Sequence, residues 1–244
     1  MKRVSLALLT ALAFLFLMYV SVTVNAKDVF TQDVVSLIMP ADYAFSIWGL
    51  IYLGLFILIV SQFFVSPKVS QFFQQLSLPL TLALVATASS LIVPTSYQPL
   101  AIGSGVLFLS VVYVLTNTIK DDVTTSDHEG LYTAWLWVRR LITVYLGWMS
   151  VALILNISTA LKEAGFVNLF GLTELMWAMI MLVVGGGLAI LVTQREREPL
   201  YGLVFVWAYV AIALNETSGL VVILAALAMI VVIAFFLEIP KRTS

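Results

Sequence analysis

The chain contains no cysteine and only one histidine, His128. Disulfides, thiolate nucleophiles and cysteine-bound metals are therefore excluded, and the usual ligands of a structural zinc or a haem iron cannot be assembled. His128 lies in a polar, acidic stretch at 119–133 that is typical of a solvated loop, so we expect no metal there. No acid, base or nucleophile is paired in a plausible site either. The sequence therefore predicts no cofactor, no metal site, no catalytic residue and no enzymatic activity.

Charged side chains are also scarce. They make up 10% of the 244 residues, while 62% are hydrophobic, and the net charge is −1. A soluble domain has about 25% charged residues, so this chain could not cover a water-facing surface. The near-zero charge also excludes the basic field that nucleic-acid binding requires. The bilayer then serves as the solvent, and long apolar runs without the alternation of barrel strands predict an all-α integral membrane protein.

Eight apolar segments are long enough for a transmembrane helix, which needs about 20 residues. They are residues 4–24, 44–65, 76–94, 99–118, 134–160, 172–193, 200–214 and 218–238. The first has two interpretations, because Lys2 and Arg3 before it and Val24-Asn25-Ala26 at its end are typical of a signal peptide. Its apolar run is nearer to about 20 residues than to the roughly 7–15 of a signal peptide, which favours an uncleaved helix. Cleavage would leave the remaining helices in the same orientation.

The distribution of lysine and arginine predicts an orientation. With eight spans and a cytoplasmic N-terminus, ten of the 12 lie on the cytoplasmic side, and only Lys27 and Lys162 lie outside. We therefore expect both termini in the cytoplasm. Arg139 and Arg140, at the start of the fifth helix, are interpreted as anchors whose side chains reach the membrane interface. Glu174, near the outer end of the sixth segment, is interpreted as interfacial.

Two helices carry stripes of aromatic and polar residues at helical spacing. In the second, Phe45, Trp48 and Tyr52 lie at i, i+3 and i+7, so they share one face. The fifth helix carries a similar stripe, which comprises Tyr145, Trp148, Ala152 and Asn156. An unpaired amide in lipid is costly, so Asn156 should face protein or a ligand. Spacing alone favours helix packing with a polar clasp, and it leaves open a pocket whose rings stack on a flat apolar ligand.

Three segments carry a family resemblance. They are 40–52 (PADYAFSIWGLIY), 145–156 (YLGWMSVALILN) and 201–208 (YGLVFVWA). They resemble the tryptophan-rich sensory protein family, also called the translocator protein family (TspO/MBR, the peripheral benzodiazepine receptor family), in its long bacterial form. The resemblance implies a five-helix membrane core at 1–160 and a three-helix membrane extension at 161–244, in a bacterial plasma membrane. The third helix departs from the family, because 88–92 (ASSLI) lacks its usual Asn and Trp.

The resemblance implies a multi-pass membrane receptor or sensor that binds a flat hydrophobic molecule, such as a tetrapyrrole (porphyrin or haem) or a sterol. We predict ligand contacts from Phe45, Trp48, Tyr52, Tyr145, Trp148 and Asn156. The cavity is expected between the second and fifth helices, open toward the loop at 25–43, with Trp48 and Asn156 at similar depth and Trp135 outside it. The alternative is a small-molecule transporter or exporter without enzymatic activity. The expected partners are the lipid bilayer and this small molecule, without nucleic acid, and a homodimer is left open.

Overall fold

A computed structural model describes residues 2–24, 37–124, 129–165, 171–215 and 219–237. Eight long helices account for most of them, and no β-strand occurs in these ranges. The helices are α1 (Lys2–Thr23), α2 (Ile47–Ser61), α3 (Pro67–Ser90), α4 (Gln98–Thr118), α5 (Glu129–Glu163), α6 (Glu174–Glu196), α7 (Pro199–Asn215) and α8 (Gly219–Leu237). Short 3₁₀ helices at Asp42–Ser46 and Thr95–Tyr97 lead into α2 and α4, and a five-residue helix, Lys120–Thr124, follows α4. The predicted all-α membrane architecture is confirmed.

The predicted helix ends agree with the structure to within a few residues, except at the starts of α3 and α5. Helix α3 begins at Pro67 rather than at residue 76, and α5 begins at Glu129 rather than at residue 134. Proline suits the first turn of a helix because the N–H that it lacks would have no partner there. The polar first turns of α3 weakened the apolar signal, although Ser70 is buried and accepts a hydrogen bond from Gln74 Nε2 at 3.3 Å.

Six helices in the described part of the chain, α1 to α6, are long and apolar enough to cross a membrane. The segments Pro199–Asn215 and Val222–Ile233, in α7 and α8, are apolar but shorter. The 17 residues of α7 extend about 25 Å, against a hydrocarbon core of about 30 Å. Local thinning of the bilayer or snorkelling side chains accommodate a mismatch of this size. The chain is therefore a multi-pass membrane protein.

Helix α5 is the centre of the bundle. It contacts α2, α3 and α4, which belong to the predicted core, and also α6 and α7 of the predicted extension. Helix α3 packs against α1 and α4, and α8 packs against α6 and α7. Helix α2 contacts α1 and α5, and much of its remaining surface is exposed apolar side chain, including Leu50, Leu53 and Phe56. The predicted boundary at residue 160 falls inside α5, so the two proposed parts share this helix.

The triplet Gly185-Gly186-Gly187 lies in α6, where Tyr209 of α7 approaches. Tyr209 Oη donates a hydrogen bond to the carbonyl oxygen of Leu182 at 2.5 Å. A Cβ on Gly185 would lie 2.8 Å from that hydroxyl oxygen, whereas a Cβ on Gly187 would meet nothing within 4 Å. Gly185 therefore permits the close contact between α6 and α7, as small residues do in other membrane helix pairs.

We expect Gly185→Ala to destabilise the protein and Gly187→Ala to leave its stability nearly unchanged. The methyl group at residue 185 must displace the Tyr209 hydroxyl, and such overpacking costs about 1–3 kcal/mol. At residue 187 the methyl group enters open space, and alanine favours the helix by up to about 1 kcal/mol over glycine. Thermal unfolding of both purified variants in detergent measures the difference. Equal melting temperatures would contradict the described contact.

Candidate ligand site between α2 and α5

The aromatic stripes of α2 and α5 lie against each other. The ring of Phe45 meets the ring of Trp148 edge-on, with 5.8 Å between centroids. Phe45 lies in the 3₁₀ helix that leads into α2, and one turn later Trp48 of α2 meets Tyr145 edge-on at 6.0 Å and stacks on Tyr52 at 5.3 Å. We call these five residues the ring cluster. The two helices therefore face each other as the sequence predicts, and ligand binding by the ring cluster stays a prediction.

Hydroxyl groups connect the ring cluster to two further helices. Tyr52 Oη lies 2.8 Å from Ser21 Oγ of α1, and Tyr145 Oη lies 2.6 Å from Thr87 Oγ1 of α3. Tyr145 is completely buried, and its hydroxyl is hydrogen-bonded to that of Thr87. Residues from α1, α2, α3 and α5 thus fix the orientation of the two tyrosine rings. Ser21 and Thr87 were not predicted as site residues, because small hydroxyl residues give no distinctive spacing.

The indole of Trp148 is the unusual group in the ring cluster. Its side chain is 1% exposed, and its Nε1–H has no hydrogen-bond acceptor among the described residues. Leaving a buried donor unpaired costs about 1–3 kcal/mol, so nearly all such groups in proteins have a partner. Trp148 Nε1 is therefore a donor that a bound molecule carrying a hydrogen-bond acceptor would satisfy.

Asn156 does not join the ring cluster. Its side chain is buried, and its Nδ2 donates to the carbonyl oxygen of Ala152 within the same helix at 2.8 Å. Trp48 lies level with Tyr145, which is eleven residues from Asn156 and so about 16 Å away along the axis of α5. The expectation that Trp48 and Asn156 share one depth is wrong, because the antiparallel helices pair in a different register from the one assumed.

A second polar site surrounds Arg139, where α4, α5 and the α6–α7 turn meet. Arg139 is 6% exposed, and its guanidinium donates to Glu198 Oε1, to Asn117 Oδ1 and to Tyr113 Oη, the last at 2.6 Å. Asn117 Nδ2 in turn donates to Glu196 Oε2 at 3.3 Å. The interpretation of Arg139 as an anchor that reaches the interface is therefore wrong, because its charge is paired inside the protein.

Trp135 also belongs to this site. Its Nε1 donates to the carbonyl oxygen of Thr116 at 2.8 Å, and the Arg139 guanidinium lies 5.4 Å from its ring. We call Tyr113, Asn117, Trp135, Arg139, Glu196 and Glu198 the Arg139 cluster. As expected, Trp135 lies outside the ring cluster. Its contacts with Thr116 and Arg139 make it a structural residue of the Arg139 cluster. Arg139 and Arg140 are neighbours in the sequence, so no sequence signal would have selected Arg139 alone as a cluster residue.

The remaining polar features are modest. Lys162 and Glu174 form a partly exposed ion pair at 2.7 Å, which agrees with an interfacial position for Glu174. No group of three His, Asp or Glu side chains that would hold a metal occurs in the part of the chain that the structure describes. His128 lies outside that part.

An open groove along α6 lies apart from the ring cluster, and it is lined by Gly187, Ile190, Leu191, Gln194 and Arg195. The ring cluster is the stronger candidate for a ligand site, because the groove is lined by one helix and its polar groups lie at one end.

These features define a multi-pass helical membrane protein with aromatic residues concentrated between two of its helices. The chain belongs to the family described as TSPO-like protein, whose model matches residues 4–239. The match covers nearly the whole chain, so it confirms the resemblance to the translocator protein family. No curated protein and no solved structure matches the chain.

Proposed function

We propose that this protein is a membrane receptor or sensor that binds a flat hydrophobic ligand, such as a porphyrin or haem, between α2 and α5. The observation that carries the proposal is the buried indole N–H of Trp148, which has no acceptor among the described residues and lies beside Phe45 in the ring cluster. A tetrapyrrole has a flat surface on which the rings could stack. It also has carboxylate groups that could accept a hydrogen bond from the indole. Membership of the TSPO-like family supports a protein of the receptor or transporter type.

Binding would require α2 to separate from α5, because the rings of the two helices are in contact with each other. Helix α2 suits this movement, since its outward side carries exposed apolar residues that meet lipid rather than another helix. A hydrophobic ligand would then enter sideways from the bilayer. Trp48 and Tyr145 would stack on its faces, and Trp148 Nε1 would donate to its acceptor. Aromatic pairs contribute about 0.5–1.5 kcal/mol beyond their buried area.

A titration with protoporphyrin IX tests this proposal. The purified full-length protein in detergent should shift the Soret absorbance of the porphyrin in a saturable way, with one porphyrin per chain. Quenching of tryptophan fluorescence should follow the same curve, although all six tryptophans contribute to it. Protein-free micelles provide the control for partition of the porphyrin into detergent. A signal that rises linearly and equals that of empty micelles would remove the proposed function.

A small-molecule transporter is the second candidate, and the Arg139 cluster is the observation in its favour. Charged residues buried inside membrane proteins often mark ion or substrate pathways. Arg139, Glu196 and Glu198 would then line the end of such a pathway at the α6–α7 turn. Porphyrin uptake into sealed vesicles separates the candidates, since a receptor binds the porphyrin without accumulating it in the lumen.

We also propose that both termini are cytoplasmic, on the evidence of the ten-to-two distribution of lysine and arginine. The chain has no cysteine, so a single introduced cysteine reports its own side of the membrane. Ser66→Cys, between α2 and α3, should resist a membrane-impermeant maleimide in intact cells, whereas Ala164→Cys, after α5, should react. Both positions are exposed, and permeabilised cells should label both. Reaction of both in intact cells would refute the orientation.

A further inference from the structure

The turn that precedes α2 lies along one side of α7. Its backbone runs antiparallel to the second half of that helix and is bonded to it at three successive points. The three hydrogen bonds are Trp207 Nε1 to Ala44 O at 3.0 Å, Ala41 N to Ala211 O at 3.0 Å and Asn215 Nδ2 to Met39 O at 3.1 Å. The ring of Tyr43 also meets the ring of Trp207 edge-on at 5.1 Å. We call residues 39–46 the entry turn.

The entry turn determines where the rings of α2 lie. Ala44, whose carbonyl oxygen accepts from Trp207, is completely buried and directly precedes Phe45. Phe45 contacts Trp148, and one turn later Trp48 contacts Tyr145. A shift of the entry turn would therefore move both rings relative to α5. Helix α7 belongs to the proposed extension, so a part of the chain outside the predicted core holds the ring cluster in register.

Helix α2 also packs against α1 and α5. Its Tyr52 is hydrogen-bonded to Ser21 of α1, and Gly54 lies close to Leu141 of α5, because a Cβ on Gly54 would lie 2.5 Å from Leu141 Cδ1. The outward side of α2 carries exposed apolar residues such as Leu50, Leu53 and Phe56, so no helix among the described residues packs on that side. The three bonds to α7 thus fix the entry turn, which carries Phe45 and leads directly to Trp48 of α2.

We infer that Trp207 and Asn215 of α7 are positioning residues of the ligand site, which hold the start of α2 so that its rings meet those of α5. This inference rests on the proposed function. With the entry turn held, the start of α2 stays ordered beside α7, and a ligand parts the rings of α2 from those of α5 while the turn remains bonded. If the bonds between the entry turn and α7 are weakened, ordering the turn offsets part of the binding free energy, so the affinity for the ligand falls. The extension is then part of the binding site rather than an independent membrane anchor.

The test compares two variants of α7 that each lose one hydrogen bond and keep an aromatic ring. Trp207→Phe loses the bond to Ala44 of the entry turn, and Tyr209→Phe loses the bond to Leu182 of α6. In the full-length protein without porphyrin, amide hydrogen exchange of residues 39–52 should be faster in Trp207→Phe and unchanged in Tyr209→Phe. Protoporphyrin IX affinity should fall about fivefold in Trp207→Phe alone, as expected for the loss of one hydrogen bond.

Asn215→Ala provides an independent variant if Trp207→Phe does not fold, and it should change exchange and affinity in the same direction. Wild-type exchange in residues 39–52 together with wild-type affinity in the folded variants would overturn the inference and leave the proposed function intact. Loss of affinity in Tyr209→Phe equal to that in Trp207→Phe would also overturn it, because the effect would then be general destabilisation. Failure of the wild type itself to bind porphyrin would remove the proposed function, and the inference with it.

Discussion

Arg139→Gln should lower the free energy of unfolding by about 3–5 kcal/mol, whereas Arg140→Gln should change it by less than about 1 kcal/mol. The two arginines are neighbours in sequence, but Arg139 is 6% exposed and Arg140 is exposed. Removing the Arg139 charge leaves the Glu198 carboxylate, which is 12% exposed, without its cation. It also leaves Asn117 and Tyr113 without the guanidinium that donates to them. An uncompensated buried charge is among the most destabilising results of a single substitution.

Thermal unfolding of the purified variants measures this difference, and the melting temperature of Arg139→Gln should fall by on the order of 10 °C. Glu198→Gln should lower it as well, because the Arg139 charge then lacks its carboxylate. The double variant with leucine at both positions should be more stable than either single variant, since no charge is left unpaired. Equal melting temperatures for the Arg139 and Arg140 variants would contradict the described cluster.

Trp48→Ala should weaken binding of protoporphyrin IX about tenfold or more. Trp48 is the ring of α2 that contacts Tyr145 of α5, so a ligand inserted between the helices would stack on it. One stacked aromatic ring contributes on the order of 1 kcal/mol beyond its buried area, and each 1.4 kcal/mol changes affinity by a factor of ten. The loss of apolar contact area adds to this effect. The Soret titration described above measures the affinity.

Trp137→Ala is the matched control for this substitution. Trp137 is 45% exposed and lies on α5, two residues before Arg139 and away from the ring cluster. Its replacement should leave the affinity unchanged. Trp135→Ala is unsuitable as a control because Trp135 is bonded to Thr116 and packs on Arg139. If Trp48→Ala folds and binds porphyrin as tightly as the wild type, the aromatic stripes are packing alone.

Hydrophobic run length predicted the fold because each membrane helix must satisfy its backbone internally and match the bilayer. Run length failed to predict a helix where polar side chains form hydrogen bonds with each other inside the helix. The first turns of α3 carry polar residues such as Ser70 and Gln74 that pair with each other, so the helix continues through a stretch that hydropathy does not mark. Helical spacing likewise predicted the faces of α2 and α5, because residues three and four apart lie together.

Register and long-range pairing were not predictable from the sequence. Sequence spacing places Phe45 and Trp48 on one face but carries no information on how far along α5 they meet their partners. Packing between the helices places Trp48 against Tyr145 and not at the depth of Asn156. The pairing of Arg139 with Glu198 joins residues far apart in the chain, and nothing in the neighbouring residues distinguishes Arg139 from Arg140.

A structure of the purified protein with protoporphyrin IX bound would locate the ligand. We expect planar density between α2 and α5, in contact with Trp48 and Tyr145, with an acceptor atom of the porphyrin about 3 Å from Trp148 Nε1. The entry turn should remain bonded to α7. Density at another place, such as the groove on α6 beside Gly187 and Arg195, with the rings of α2 and α5 still in mutual contact, would rule out the proposed ligand site.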